Sequence, residues 1–351
     1  MKKLLIVSTN TIHVFNYINL IRDYFDEIHL ITNTKEENFN YGTIKISYTE
    51  FSLRKPIAFY KSIGFIRNII KNDKPTIIHV QQLTTNALLT ILANKNIKKP
   101  AVYTAWGSDV LLNSKSGFLL KKMIHYILKN AKYFTSDSRH MAEIMNQIAG
   151  KKLDILIANF GININNSVKI EKQNFIYSNR QLKGLYRIDK IIEGFAKLIM
   201  DKNPDNWKLI IGAEGEDKQS LIELTQKLSI ESHVEFVGWL EKEQNSYYYN
   251  ISKYYISIPE SDATSISLLE AMAAGCIPIL SDLPANREWI KDGENGLIVA
   301  DLNSNYIKDA LKINVENAIK INREIIADHG TKEANRAKFI AFYEQILSQQ
   351  L

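Results

Sequence analysis

The sequence predicts an α/β chain built as two doubly wound parallel-sheet domains facing across a cleft. Three observations carry that expectation. Short β-favouring runs alternate with helix-favouring runs almost without exception, as parallel strands covered on both faces require. A polar, Asn-rich stretch, NFGININNSVKIEKQN over residues 159–174, interrupts the rhythm and reads as a linker. A length of 351 residues suits two cores better than one. The expected bounds are 1–162 for the first domain and 163–330 for the second. A last helix over 331–351 is expected to pack back on the first domain.

In order, strands are expected near Leu4–Val7, Ile28–Thr32, Thr43–Tyr48, Thr76–Val80, Ala101–Ala105, Tyr133–Ser136 and Asp154–Ile157. Helices are expected over Val14–Phe25, Pro56–Lys71, Ala87–Asn94 and Phe118–Asn130. After the linker the series resumes with strands at Phe175–Tyr177, Lys208–Ile211, Val234–Val237, Tyr255–Ile258, Ile277–Leu280 and Leu297–Val299. Helices at Asp189–Met200, Lys218–Leu228 and Ser267–Ala274 intervene, and the last forty residues or so read as helical. In such sheets ligands sit beyond the carboxyl ends of the strands.

Composition narrows the class. Hydrophobic content of 45% with 23% charged residues describes a globular chain. Residues 1–162 hold 22 Lys and Arg against 11 Asp and Glu, whereas residues 163–351 hold 22 against 27. A basic first half suits an anionic partner, although Lys is abundant throughout. The opening MKKLLIVSTN has two lysines before an apolar run, but Ser8, Thr9 and Asn10 end it too soon for a leader. No run approaches ~18 apolar residues, so no membrane span is expected. Cys276 stands alone and reads as a small buried hydrophobe.

Chemistry gathers in Tyr255–Asp282, YISIPESDATSISLLEAMAAGCIPILSD. A strand stopped by Pro259 feeds a Ser/Thr/Asp loop and then a short helix stopped by Gly275. The unpaired first-turn N–H groups of such a helix make an anion site, and Asp262 and Glu270 stand eight residues apart beside it. Amides for a diphosphate and acids for hydroxyls describe a nucleotide-sugar. The same spacing equally fits an ordinary αβ unit with a capping Ser and a surface Glu.

Further pieces break that tie. Asp262 and Glu270 are followed by Ala271-Met272-Ala273-Ala274-Gly275-Cys276-Ile277-Pro278. Around them, in order, stand Ser178-Asn179-Arg180, Ile191 to Phe195 (IIEGF), Val234 to Gly238 (VEFVG), Pro284 to Glu288 (PANRE) and Asp292 to Gly296 (DGENG). The first half adds Trp106-Gly107-Ser108-Asp109 and Asn159 to Asn163 (NFGIN). With these motifs the chain resembles the retaining glycosyltransferases of family four, which have the GT-B fold of two Rossmann-like domains. The resemblance covers most of the chain and is dense from Asn174 to Gly296.

The resemblance implies roles. Glu270 holds the ribose hydroxyls of the donor, and a carboxylate suits a vicinal diol. Asp262 accepts hydroxyls of the transferred sugar. The amides around Ser265, Ile266 and Ser267 take the diphosphate, and Gly238 and Trp239 belong to the donor side. Arg180 neutralises charge growing on the leaving phosphate; apart from the resemblance it reads as a surface ion-pair residue.

The departures are as informative. Tyr186 and Arg187 stand where the family has a Lys-Gly pair, so the usual phosphate lysine is missing. Arg187 is the preferred replacement cation, with Lys183 as the other choice. Thr9 and Asn10 lie in a first loop, Ser8 to His13, that lacks the family's paired glycines. Trp106 stands for a cleft histidine; an indole can stack on a sugar but cannot act as a base. Asp109 either orients the acceptor or caps the helix before Val110-Leu111-Leu112. There is no Asp-x-Asp signature and no His cluster at ligand spacing, so neither metal nor cofactor is expected.

Residues 115–132 read either as an interfacial basic helix or as a core-facing one with a solvated edge. The first reading places Phe118, Leu119, Met123, Tyr126 and Ile127 on one face with Lys121, Lys122 and Lys129 beside it.

The reading is a retaining, metal-independent transferase. It takes a sugar, UDP-linked by expectation, to a glycan or lipid-linked acceptor in bacterial polysaccharide or glycoconjugate assembly. Its expected setting is the cytoplasm, peripheral on the inner face of the membrane. Its rivals are a sugar-nucleotide epimerase of the same fold and an inactive nucleotide- or glycan-binding subunit. The basic residues form no stripe with interleaved aromatics, so nucleic acid is not an expected partner.

Overall fold

The structure, a computed structural model, describes residues 1–35, 39–111, 117–164, 170–201 and 206–349. The chain divides into two units, each with its own sheet: Met1–Phe160 together with the segment from Lys332, and Gly161–Thr331.

In the first unit the order is β1 (Lys3–Val7), α1 (Ile12–Ile21), β2 (Glu27–Thr32), β3 (Lys45–Tyr48), α2 (Pro56–Asp73), β4 (Ile77–Gln81), α3 (Thr85–Asn94) and β5 (Ala101–Thr104). It continues with α4 (Ser108–Leu111), α5 (Phe118–Asn130), β6 (Tyr133–Ser136), α6 (Arg139–Ala149) and β7 (Asp154–Ile157). The sheet runs β3-β2-β1-β4-β5-β6-β7, parallel throughout. Strand order therefore reverses between β1 and β4. Every residue of β4 is buried, the pattern of a strand covered on both faces.

The one imidazole in β4, His79, is satisfied internally. Its Nδ1 lies 2.6 Å from the Tyr17 hydroxyl and 2.5 Å from the Tyr343 hydroxyl, and its Nε2 lies 2.5 Å from Thr104 Oγ1. Burial pushes its pKa down to about 3, so the ring is neutral.

In the second unit the order is β8 (Gln173–Ser178), α7 (Ile188–Met200), β9 (Lys208–Ile211), α8 (Lys218–Lys227), β10 (Val234–Phe236), α9 (Lys242–Ile251) and β11 (Ser252–Ser257). Next come α10 (Ile266–Ala273), β12 (Ile277–Ser281), α11 (Pro284–Arg287), β13 (Leu297–Val299), α12 (Tyr306–Ala310) and α13 (Val315–Ile325). The sheet runs β10-β9-β8-β11-β12-β13, again all parallel, with its reversal between β8 and β11. The last helix, α14 (Lys332–Ser348), belongs to the first unit, where Phe339, Phe342, Tyr343 and Ile346 are buried among Leu4, Ile6, Tyr17 and Ile18.

Several features differ from the expected elements, the short helices α11 and α12 among them. Helix α6 was not expected, although Ser138 caps it by accepting from the Met141 amide at 3.3 Å and Gly150 closes it at φ 66°. Helix α9, KEQNSYYYNI, lacks an apolar period. It is fixed at its ends, by a Glu241–Gln244 capping box and by the Lys172 ammonium, which donates to the carbonyls of Tyr249 (3.1 Å) and Asn250 (3.3 Å).

On α5, Met123, Ile124, Ile127 and Leu128 face the core, so Met123 and Ile127 do not share the outer face. Phe118 (72% exposed), Leu119 (69%) and Tyr126 remain outside with the lysines. Residues 115 and 116 of that stretch lie outside the described residues, as do 165–169 of the expected linker. Among the described residues no helix is long and apolar enough to cross a membrane.

Candidate functional site

Where strand order reverses in an open parallel sheet, the loops leaving the two central strands part to opposite faces and leave a crevice. In the second unit those strands are β8 and β11. Arg180 follows the first and Asp262 the second. Their side chains meet, with Arg180 Nη2 donating to Asp262 Oδ2 at 2.8 Å, although 82 residues separate them. Arg180 Nη1 donates to Ser265 Oγ at 2.7 Å. The Tyr186 ring covers the guanidinium, with its centroid 4.5 Å from Cζ.

Ser265 occupies the N-cap of α10, yet its side chain makes no capping bond to that helix. Its hydroxyl faces Arg180 instead. The first-turn amides of Ile266 and Ser267 have no carbonyl within the helix to bond. A guanidinium beside an uncapped helix start is an arrangement that takes an anion.

The electrostatics follow from burial. Burial works most strongly against the Arg180 charge, but the Asp262 carboxylate together with Tyr255 and Tyr186 outweighs it and holds the group well above the ordinary range. Burial pushes the Asp262 carboxyl up, against the pull of Arg180 and of the Ala263 amide, which donates at 3.0 Å. Asp262 thus remains the counter-ion of Arg180 with one oxygen, while its other oxygen is held by backbone.

Glu270, one helical turn further into α10, borders a cavity of about 450 Å³ with Lys242, Asn245, Ser246, Tyr249 and Asn163. Burial pushes its carboxyl up, and a hydrogen bond from Tyr249 offsets part of that. Tyr249 is tied back to the crevice through Asn179, whose Nδ2 donates to the Tyr249 hydroxyl at 2.8 Å while its Oδ1 accepts from the Tyr255 hydroxyl at 3.3 Å. Asn179 was named in the sequence only as the middle of a motif.

Other residues stand apart from this group. Arg187 takes φ 52° ahead of α7 and pairs with Glu260 at 3.4 Å, so the preferred replacement cation already has a carboxylate. Lys183 is exposed and borders a separate hollow with Arg187 and Glu260. Gly238, at φ 77°, and the 64%-exposed Trp239 follow β10, two strands from β8.

In the first unit the reversal lies between β1 and β4. Thr9 Oγ1 donates to Gln82 Oε1 at 3.0 Å, and the Trp106 indole donates to Gln81 Oε1 at 2.8 Å. Trp106 also packs on His13, with ring centroids 5.1 Å apart. The sequence did not single out Gln81 and Gln82 as partners of Thr9 and Trp106, because the end of a strand gives no signal of which side chains its neighbours will meet, and His13 comes to Trp106 from the first turn of α1.

Asn10 is satisfied internally: its Nδ2 donates to the Thr34 carbonyl at 3.4 Å and its Oδ1 accepts from the Tyr41 hydroxyl at 2.5 Å. Asp109 is corrected as an acceptor residue. It is 2% exposed, and its carboxylate accepts from the amides of Leu83 (2.8 Å), Trp106 (3.0 Å) and Val110 (3.1 Å), so it anchors loops. Among the described residues no group of three His, Cys, Asp or Glu is placed to hold a metal.

Known proteins are similar to the chain in sequence and in fold. The family described as glycosyl transferases group 1 matches residues 159–332, and the family described as glycosyl transferase 4-like matches residues 2–138. The chain is 22% identical over 271 residues to the alpha-monoglucosyldiacylglycerol synthase of Streptococcus pneumoniae, covering 71% of this chain and 62% of that protein. It is 23% identical over 300 residues to the N-acetylgalactosamine-N,N'-diacetylbacillosaminyl-diphospho-undecaprenol 4-alpha-N-acetylgalactosaminyltransferase of Campylobacter jejuni, covering 83% and 77% of the two chains. In fold it is similar to Anabaena Alr3699/HepE in complex with UDP, with a TM-score of 0.79 at 13% identity over 98% of this chain and 100% of the other.

Proposed function

We propose that the chain is a glycosyltransferase of group 1, the family whose model matches its second half, and that it moves a sugar from a UDP-linked donor to a glycan or lipid-linked acceptor with retention of configuration. The observation that carries this reading is the grouping at the β8/β11 reversal. Arg180, Asp262 and the uncapped start of α10 stand together, with Glu270 one turn on. Structural similarity to a protein in complex with UDP supports the choice of nucleotide.

In this reading the diphosphate lies against the α10 amides and Arg180, Glu270 accepts from the ribose diol, and Asp262 accepts from a hydroxyl of the transferred sugar. The bond from the anomeric carbon to the phosphate oxygen breaks as a bond to the acceptor oxygen forms on the same face. The departing phosphate oxygen takes the acceptor's proton. No side chain serves as nucleophile; the protein supplies position and positive charge. The acceptor side is assigned to Thr9 and Trp106, with the indole as a platform for a sugar face. Lys183, Gly238 and Trp239 are assigned to the rim of the donor side. Catalysis proceeds without a metal, so activity should survive a chelator; loss restored by Mn²⁺ would end that part.

A lipid-linked acceptor implies a membrane surface, and the name of the Campylobacter relative includes a diphospho-undecaprenol-linked sugar. Helix α5 presents Phe118 and Leu119 with Lys121 and Lys122, and α2 presents Ile57 and Tyr60 beside Lys61. Apolar tips among cations suit an anionic headgroup layer. Flotation with anionic but not neutral vesicles, lost on adding salt, is the expected outcome.

The test of the main reading is a calorimetric screen of nucleoside diphosphates, followed by a panel of UDP-sugars with the product anomer read by NMR. Binding of UDP and an unchanged anomeric configuration are expected. C2 epimerisation of the donor without transfer would instead favour the epimerase.

A further inference from the structure

We infer that Tyr186 is a positioning residue that holds the Arg180 guanidinium ready for a diphosphate, in place of a second phosphate-binding cation. The inference rests on the nucleotide-sugar reading above, and three observations carry it.

The first is the stacking. With the ring centroid 4.5 Å from Arg180 Cζ, the ring covers one face of the guanidinium, and its N–H groups lie in the plane that the ring leaves uncovered. Asp262 and Ser265 engage one terminal nitrogen each and Tyr255 is a third hydrogen-bond partner, so the head group is fixed at its edges and on one face, and each terminal nitrogen keeps a second N–H. A side chain ordered beforehand loses less entropy when an anion arrives.

The second is the seat of the ring. Tyr186 closes a 3₁₀ turn, Gly184–Tyr186, whose Leu185 carbonyl accepts from the Glu260 amide at 3.0 Å. The turn that carries the ring is thereby stitched to the loop that carries Asp262.

The third concerns Arg187. Its guanidinium pairs with Glu260 at 3.4 Å, and its backbone takes φ 52°. Its charge is already matched, so it adds little net field to the crevice. The aromatic residue, not the cation that follows it, is what touches the group assigned to the phosphate.

The experiment uses the full chain and measures UDP binding by calorimetry and uridine binding by saturation-transfer NMR. Tyr186→Leu should weaken UDP by about tenfold and leave uridine unchanged, because the stacking acts through a group that meets only the phosphates. Tyr186→Phe keeps the ring and should stay within about twofold of wild type, as should Arg187→Gln. In an Arg180→Gln background, Tyr186→Leu should have no further effect.

Equal losses of UDP and uridine in Tyr186→Leu would overturn the inference and assign the ring to the base or to the fold. An Arg187→Gln loss larger than that of Tyr186→Leu would overturn it in favour of a second cation. If the wild-type chain binds no UDP, the nucleotide-sugar reading fails first and the inference falls with it.

Discussion

Asp262→Asn keeps the shape of the side chain, and its Oδ1 can still accept from the Ala263 amide at 3.0 Å. What it removes is the charge facing Arg180. The two side chains are 11% and 24% exposed, so solvent screens the pair only in part. At a charge separation of about 4 Å and an effective dielectric of about 20, the gross attraction is about 4 kcal/mol. Relief of the Asp262 desolvation that pushes its carboxyl up offsets part of this. The neutral amide can also keep one hydrogen bond, leaving a net loss of about 2 kcal/mol. For a unit of this size that lowers Tm by about 4–8 °C.

Ligand binding should move differently. A carboxylate beside the diphosphate site repels the ligand, so its removal should leave UDP affinity unchanged or up to about tenfold tighter. Turnover of a UDP-sugar, measured as UDP release, should fall by about 100-fold. Calorimetry, scanning fluorimetry and the release assay on one protein preparation separate these effects. A tenfold loss of UDP affinity would overturn this expectation, because the order that Asp262 imposes on Arg180 would then outweigh its repulsion of the ligand.

Three further outcomes follow. Burial holds the Glu270 pKa above the ordinary carboxylate range, so acidification through that raised value converts an acceptor into a donor. UDP affinity should therefore fall as pH falls, beginning above the ordinary Glu range, and Glu270→Gln should bind about tenfold more weakly with a flat profile. His79, with a folded pKa of about 3 and an unfolded value of about 6.5, takes up its proton first in the unfolded chain. Its contribution is fully present above pH 6.5 and is lost by about 1.4 kcal/mol per pH unit as pH falls toward 3; urea midpoints should show this slope, and His79→Gln should flatten it. Gly194→Ala should destabilise by about 2 kcal/mol in denaturant titration despite the better helix former. The added Cβ would stand 2.2 Å from the buried Tyr306 hydroxyl, which donates to the Lys190 carbonyl at 2.7 Å.

The alternation of strands and helices was legible from residue order alone, because burial on both faces writes near-continuous apolar runs such as Ile77-Ile78 and Ile277 to Leu280. Residue order also located the loop from Glu260 to Ser265 at the mouth of α10, since Pro259 and the following helix formers bracket it. It did not show α9, which is held by end contacts and not by an apolar period. The resemblance offered Arg187 as a second cation beside Arg180, and strand order decided the partner of each. Placing β8 beside β11 brings Arg180 to Asp262 across 82 residues, while Arg187 falls to Glu260.

Asp109 was likewise open between two roles until the fold wrapped three backbone amides around its carboxylate. Local pattern reports which residues are buried and in what element. Only the crossovers decide which charge finds which partner, because pair energies fall off within a few ångströms and depend on how dry the meeting place is.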